Sequence, residues 1–513
     1  MATSARCVQI HSQDNVAIAT ADLPVGTELS LAGGVTTREP IGLGHKFAIA
    51  PIEAGAAVLK YGQPIGLASR AIAAGEWVHI HNVSLDEGAK AYEFGSAVQP
   101  VSLATTPRTF AGYRRSTGGA GTRNYIAVIS SVNCSASVSK AIARHFDRDR
   151  LAAFPQIDGV VAFTHHGGCA MQFGGMQHQL LNRVMGGIAR HPNIGGYVLI
   201  GLGCEKATIE YLVEDQRLVQ IEGLGGHPQQ PPVLTLQNSG GTAKTIAAGI
   251  AAVEQLLPIA NQVERVPIPA SELMIATQCG GSDGSSGITA NPALGVACDL
   301  IVEQGGTAIL GETTEMVGAE HLLTRRAVRP EIGQKLLERI EWWRWYAGMF
   351  GETIDDNRSA GNAKGGLTTI AEKSLGAVAK GGSTPLREVF EYAAPVTERG
   401  FVIMDSPGFD PASITGMVAG GANLVVFTTG RGSCYGCKPA PSIKIATNTP
   451  MYERMIDDMD LDAGRIYQGL SVDAVGAEIF EMMLAVASGQ PTKSESQNLG
   501  DEEFVPWMIG PVL

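Results

Sequence analysis

The sequence predicts a multidomain α/β protein: a small all-β domain at the N-terminus, then two α/β domains with largely parallel sheets. Three observations predict it. Short β-type runs separated by turn residues fill residues 1–92 and then stop. From about residue 120, apolar runs end in loops containing glycine or cysteine and alternate with helical segments. Glycine supplies 64 of 513 residues, well above a typical ~7%, as suits many tight turns and close backbone approaches.

Each element follows in order. In 1–92 the runs NVAIATADL, HKFAIA, VLKYG and WVHIHN are set apart by Pro24, Gly26, Gly55 and Gly75, the pattern of short strands in a compact β domain. Residues 93–110, with Pro100 and Pro107, read as a linker. The second domain, 111–262, holds NYIAVISSVNC, GVVAFTHHGGC and GYVLIGLGC; the third, 263–513, holds SELMIATQC, GTAILGE, GFVIMD, ANLVVFTTG and SIKIATN. Nearly continuous apolar strands with helices between them imply parallel sheets covered on both faces. A helix is expected around 330–348. Val472, Val475, Ile479, Met482 and Val486 recur at helical spacing near the C-terminus and read as core packing.

Charge and composition exclude some functions. The net charge is −12 with no block of lysine or arginine, which argues against nucleic acid as a partner. No apolar run approaches the ~18 residues of a membrane span, and the N-terminus lacks the charged head and apolar stretch of a signal peptide. Eight cysteines in such a chain suggest thiols or metal ligands and a cytoplasmic location.

Four cysteines, Cys134, Cys169, Cys204 and Cys279, each follow the carboxyl end of an apolar strand, the edge at which open α/β sheets bind ligands. Converging thiolates suit iron or an iron–sulfur cluster; the plainer alternative is a set of small buried residues. His165 and His166 stand beside Cys169 in a glycine loop, as ligands or general bases. His79 and His81 would share a face if their segment is a strand, and His45 and Lys46 add a base and a cation. Gly280–Gly287 is a polar glycine loop whose Ser282, Asp283 and amides suit a carboxylate or phosphate, yet it matches neither the P-loop nor the dinucleotide pattern. Glu312 and Glu315 follow another strand end as acid, base or ligand. Lys364, Lys373 and Arg431 lie near glycine turns as anion-binding cations. The lone Cys434–Cys437 pair is weak evidence for redox or metal chemistry.

The motifs GHKFAIA, KYGQPIG, HIHN, GTRNY, THHGGC, IGLGCE, QCGGSDGSSGITANPALG, EMVGAEHLL, AKGGLTTIAEKSLG, FTTGRG and IKIATN together resemble the altronate/galactarate dehydratase family over nearly the whole chain. The resemblance implies that the first domain is an SAF-type β-clip. It implies a hydro-lyase acting on altronate or galactarate, and dependence on iron (Fe2+ or a cluster, with Mn2+ as a substitute). The four strand-end cysteines match cysteines of the family pattern. HIHN and GAEHLL look more like the altronate than the galactarate enzymes, whereas SCYGC departs from the family pattern.

On this reading His79, His81, His165, His166 or Glu312 moves protons. His45, Lys46, Arg123, Ser282, Asp283, Lys364, Lys373 and Arg431 bind the sugar acid, and Cys134, Cys169, Cys204 and Cys279 hold metal. A base removes the weakly acidic C2 proton, and the C3 hydroxyl departs. The N-terminal histidines contribute only if their domain docks over the sheet edge. A homodimer is expected on general grounds. The rival readings are a lyase expelling another group, such as sulfite, and a non-catalytic sugar-acid sensor.

Overall fold

The computed structural model describes residues 2–509 apart from 5, 32–33, 87, 89–90, 117 and 220–229. At the N-terminus, Ala2–Ser4, Cys7–Gln9, Val16–Ala19, Lys46–Ala48 and Trp77–Val78 form an antiparallel sheet in that order. Ala57–Lys60 and Gln63–Ala68 make a hairpin to which Val83–Ser84 adds. Its turn residues, Tyr61 and Gly62, are both left-handed (φ 63° and 69°), as a two-residue hairpin turn requires. The Asp14 carboxylate accepts from both turn amides, at 3.2 and 2.7 Å. This fixes Lys60 at a strand end, where it is buried.

One local expectation fails. The strand carrying Trp77 stops at Val78, and His79–Asn82 is a turn. The Asn82 side chain is the cause: its Oδ1 accepts from the His79 amide at 2.8 Å and its Nδ2 donates to the Trp77 carbonyl at 2.8 Å. An asparagine that captures backbone groups this way competes with the sheet ladder.

The strands Gly159–Phe163, Tyr125–Ser130, Ile194–Gly201 and Val233–Thr235 form one parallel sheet, in that spatial order. A second, seven-stranded parallel sheet runs Leu386–Phe390, Gly400–Met404, Thr307–Leu310, Met274–Cys279, Leu424–Thr429, Ser442–Ala446, Leu461–Asp462. In both, the first strand lies inside the sheet, and later strands add first on one side and then on the other. The helices Ala290–Glu303 and Val472–Ala487 pack on one face of the larger sheet. The helices Met176–Ala189 and Asp410–Ala419 lie between the two sheets in one apolar core, which contains Ile129, Val184, Met417 and Val425.

The domains are joined by apolar contact as well as by the chain. Val16, Val58 and Ile65 of the β domain share a core with Leu310, Leu323 and Leu336. Thr109–Arg114 pairs antiparallel with Val266–Pro269, so the strands that lead into and out of the second domain lie side by side. This pairing has no sequence periodicity to announce it. The helix Thr242–Ala260, which corrects the expectation about apolar runs, is long and apolar enough to cross a membrane by length and composition. Its Val253, Leu256, Leu257 and Ala260 are buried in the core of the second domain.

Candidate active site

Strand order reverses at Met274–Cys279: the next strand added lies on one side, and Leu424–Thr429 lies on the other. Ligands of open α/β sheets bind in the crevice above such a point. Gly280–Gly287 and the turn at Gly430-Arg431 meet there, with the Gly430 and Arg431 amides donating to Gly281 O at 3.2 and 2.9 Å. Asp283 ties the loop down. Its carboxylate accepts from Ser285 N, Ser286 Oγ, Thr447 Oγ1 and Asn448 Nδ2 at 3.0–3.1 Å, so it is a loop anchor rather than a substrate ligand. The Ser282 Oγ is buried and has no hydrogen-bond partner among the described residues.

The N-terminal domain docks on this loop. Gly284 touches Gly44 so closely that a Cβ there would collide with the Gly44 carbonyl. The Gly284 amide donates to Gly365 O at 2.7 Å, and Lys46 Nζ donates to Gly366 O at 2.8 Å. Lys46 and Lys60 converge on the buried Glu372, with Nζ–Oε distances of 2.8 and 2.9 Å. Thr368 adds its amide (2.8 Å) and hydroxyl (2.6 Å) to the same carboxylate. Burial alone would raise the Glu372 pKa, but the two ammonium groups override it and hold it far below the usual carboxylate range. Burial lowers Lys46 to about 8, with Lys60 adding to the effect against the pull of Glu372.

Beside these lysines the Trp77 indole collects imidazoles. His79 stacks on it at 4.9 Å, His81 lies tilted at 5.2 Å, and His45 sits 5.4 Å from His79. His45 Nδ1 accepts from Trp77 Nε1 at 3.1 Å, so its Nε2 carries the hydrogen and donates to Lys364 O, also at 3.1 Å. Burial, then Lys46 and His45, push His79 down to about 3. This neutral imidazole keeps a buried Nδ1 without a partner among the described residues. His81 is exposed, and so are Lys364 and Arg431, whose charged ends make no ion pair among the described residues. The structure therefore brings His45, Lys46, His79, His81, Ser282, Lys364 and Arg431 to one crevice region.

Cys279 ends the central strand below. With Glu312 and Glu315 it forms the one group among the described residues whose metal-capable atoms lie within 4.8 Å of each other. Lys380 Nζ is already inside it, 2.7 Å from the Cys279 sulfur and 2.5 Å from Glu312. Lys373 Nζ pairs with Glu315 at 2.7 Å and with Asn357 Oδ1, also at 2.7 Å. Two ammonium groups thus neutralise the acids, and this group as arranged does not fit a metal cation. Lys373 is a partner of Glu315 rather than a free substrate ligand. Glu312 is left-handed (φ 63°, ψ 57°), an uncommon backbone for a non-glycine residue. Burial first, then Glu315, raises its pKa.

The other three strand-end cysteines are exposed and belong to the second domain, so the four do not converge on one centre. The reason is topological: Cys279 ends a strand of a different sheet. His165 corrects the proton-transfer expectation, because both its ring nitrogens are engaged. Nε2 donates to Ser130 O at 2.9 Å and Nδ1 accepts from the Gly167 amide at 3.1 Å; burial lowers it to about 4. His166 is exposed, with Nδ1 3.3 Å from Asn133 Nδ2. Arg123 lies away from this crevice, on the wall of a separate cleft of about 1010 Å³: it holds Glu495 through two bonds of 2.6 and 2.8 Å and donates to the Val486 carbonyl at 2.8 Å. Clefts of about 510 and 1010 Å³ elsewhere contain no histidine or cysteine and so offer neither an imidazole nor a thiol.

Lys60, Glu372, Lys380 and Trp77 were not singled out by sequence. A signal was present for two of them: a lysine inside an apolar run, as in VLKYG and AVAKGG, is costly to bury unless it is paired.

Comparison with known proteins matches three family profiles in chain order. "Altronate/galactarate dehydratase SAF domain" covers 5–86, "D-galactarate dehydratase/Altronate hydrolase, second domain" covers 112–261, and "D-galactarate/Altronate dehydratase, C-terminal" covers 270–512. The chain is 38% identical over 492 residues to galactarate dehydratase (L-threo-forming) of Escherichia coli, covering 94% of this chain and 93% of the relative. It is 35% identical over 494 residues to altronate dehydratase of the same organism (95% and 96%). It is 33% identical over 497 residues to altronate dehydratase of Bacillus subtilis (96% and 97%).

Proposed function

The chain belongs to the altronate/galactarate dehydratase family and is a hydro-lyase, a carbon–oxygen lyase, and from that premise we propose that it dehydrates D-altronate to 2-keto-3-deoxy-D-gluconate in the crevice between the N-terminal domain and the Gly280–Gly287 loop. One observation carries the choice of site: neutral His79, two cations unpaired among the described residues and the unpartnered Ser282 hydroxyl flank the sheet's switch point. The preference for altronate over galactarate rests on HIHN and GAEHLL, whose His79, His81 and His321 belong to the β domain and its seam.

Lys364 and Arg431, on either side of the loop, hold the substrate carboxylate, and Ser282 Oγ takes a hydroxyl. His79 accepts the C2 proton. His81, on the same indole, gives a proton to the departing C3 hydroxyl, so that water leaves and the enol tautomerises to the 2-keto acid. Lys46 and the docked domain keep water out and His79 uncharged.

Iron, with Mn2+ as a substitute, is the proposed cofactor. The thiols of Cys134, Cys169 and Cys204 suit such a soft-ligand site, whereas the lysine-neutralised Cys279 group does not. When bound, it would polarise a carboxylate or hydroxyl oxygen. We further propose a cytoplasmic homodimer, which light scattering tests.

The test is turnover. Protein purified without oxygen, with Fe(II) and a thiol reductant, is offered a panel of aldonates and aldarates, and the 2-keto-3-deoxy product is measured. Turnover of altronate supports the reading. Galactarate alone replaces the substrate and keeps the mechanism. Release of sulfite from a sulfonated hydroxy acid, or binding without turnover, overturns it.

A further inference from the structure

We propose that Asp410 is a further catalytic residue of this crevice, the acid that delivers a proton to C3 of the enol after water has left. The role rests on the dehydration reading, in which two imidazoles are already committed: His79 holds the proton from C2, and His81 has given its own to the departing hydroxyl. The enol still needs a proton at C3 to become the 2-keto acid. An enol released to water would take that proton on either face, whereas a fixed acid delivers it to one.

The fold sets Asp410 against the first residue of the glycine loop. Asp410 opens the helix Asp410–Ala419, and the turn before it is pinned from two sides. Ser406 Oγ accepts from the Glu312 amide at 2.8 Å and lies 2.9 Å from Ser413 Oγ. Gly408 packs so closely that a Cβ there would lie 2.4 Å from Asn357 Nδ2 and 2.8 Å from Thr314 Oγ1. The Asp410 side chain is partly buried. Gln278, the penultimate residue of the central strand, aims it: its Nε2 donates to Asp410 Oδ1 at 2.7 Å. Asp410 Oδ2 makes no hydrogen bond among the described residues. It lies 2.5 Å from the position that a Cβ on Gly280 would take, so only glycine leaves room for it. The next residue, Gly281, receives the Arg431 amide at 2.9 Å, and the one after is Ser282. The free carboxyl oxygen therefore borders the stretch of loop that carries the proposed carboxylate and hydroxyl contacts.

The surroundings suit an acid. Gln278 is fully buried, and its Oε1 has no hydrogen-bond partner among the described residues, so an acceptor for a substrate hydroxyl stands beside the carboxyl group. Burial, and then the Glu315 carboxylate, raise Asp410 to about 6 against the Gln278 bond and the ammonium groups of Lys380 and Lys373; a bound substrate carboxylate adds to the rise. Asp410 meets the loop at Gly280, whereas the β domain meets it at Gly284, so acid and imidazoles reach the substrate from different ends of the loop. The step closes without a co-reactant. The Asp410 O–H bond breaks as the π electrons of the enol form the C3–H bond. The C2 O–H bond breaks, its electrons complete the ketone, and His81 takes back a proton. Solvent then accepts the proton held on His79 and returns one to Asp410.

The experiment uses the full chain, purified without oxygen, supplied with Fe(II) and a thiol reductant, and turning over its sugar acid in D2O. The two C3 positions of the product are resolved by NMR before exchange with solvent at C3 sets in. The parent should place deuterium in one position only. Asp410→Asn keeps the shape and an acceptor for Gln278, should melt with the parent, and should place deuterium equally in both. Its substrate consumption should fall by less than the roughly 100-fold expected for a group acting in the first step. Asp410→Glu restores an acid and should recover a majority in the parent's position, which the residual product of His79→Gln should also keep. A parent product labelled equally in both positions overturns the proposal, and that measurement needs no variant to fold. A single labelled position retained by Asp410→Asn removes this role and leaves the dehydration reading intact. Absence of keto-deoxy product from every sugar acid removes that reading and this role with it.

Discussion

Glu372→Gln should release the N-terminal domain. The carboxylate is fully buried between Lys46 and Lys60 and accepts two further bonds from Thr368. Its amide replacement leaves two buried ammonium groups facing an uncharged side chain. Breaking a buried pair this way costs about 3–5 kcal/mol. A second route to the magnitude agrees: neutralising one lysine at pH 7, against its ordinary 10.5, costs about 5 kcal/mol at 1.36 kcal/mol per unit. A cost of about 3 kcal/mol raises the undocked population by about two powers of ten. Limited proteolysis within residues 93–108 under native conditions reads that population.

The pH dependence of this variant has a definite sign. A lysine left neutral in the folded variant is protonated when unfolded, so the unfolded state binds more protons and stability rises with pH. The deficit should therefore shrink by about 1.4 kcal/mol per unit from pH 5 to 7, below the value of about 8 at which Lys46 of the parent protein loses its own proton. Lys46→Met is the control. It leaves a one-to-one Lys60–Glu372 pair and should shift stability by only about 1 kcal/mol. A cleavage rate for Glu372→Gln within threefold of the parent, or a deficit indifferent to pH, would refute the reasoning.

Three further outcomes follow from the geometry. His79→Gln should lower kcat about 100-fold or more with little change in KM, whereas His166→Gln should leave kcat close to the parent, as steady-state kinetics on the active substrate would show. Arg431→Ala or Lys364→Ala should raise KM by roughly 10- to 100-fold, the loss of a charge-assisted contact of about 1.5–3 kcal/mol, with less effect on inhibition by an uncharged polyol. His165 and His191 are buried and neutral, each lowered by burial to about 4 from 6.5. The unfolded chain takes up protons that the folded one refuses, so stability falls as pH drops from about 6.5 to 4, by about 3 kcal/mol per histidine. Urea melts across that range should lose the corresponding part of the slope in His191→Asn.

The parallel sheets were legible because their strands are buried on both faces, so Tyr125–Ser130, Ile194–Gly201, Met274–Cys279 and Leu424–Thr429 stand out as apolar runs. The strand Leu386–Phe390, an edge strand with Arg387 exposed, lacks that mark, and two-residue strands such as Leu461–Asp462 are too short to show any period. At the site, the types of group were readable but not their partnerships. A paired cation and a free one look alike in sequence: Lys373 and Arg123 read as free charges because Glu315 and Glu495, their partners, are 58 and 372 residues away. Four cysteines at equivalent strand ends looked like one set because strand-end position recurs in every parallel sheet; which sheet each strand joins is a long-range fact.

The antiparallel pairing of Thr109–Arg114 with Val266–Pro269 has a consequence for how the chain reaches its native state. The paired residues are roughly 150 positions apart, and closing so long a loop from an open chain costs about 4–5 kcal/mol of entropy for only four residue pairs. The second domain, whose own sheet contacts are far more local, must condense first and bring the two strands together. The pairing then acts as a late clasp, and the seven-stranded sheet, which begins five residues after it, is seeded on a domain already formed rather than on disordered chain.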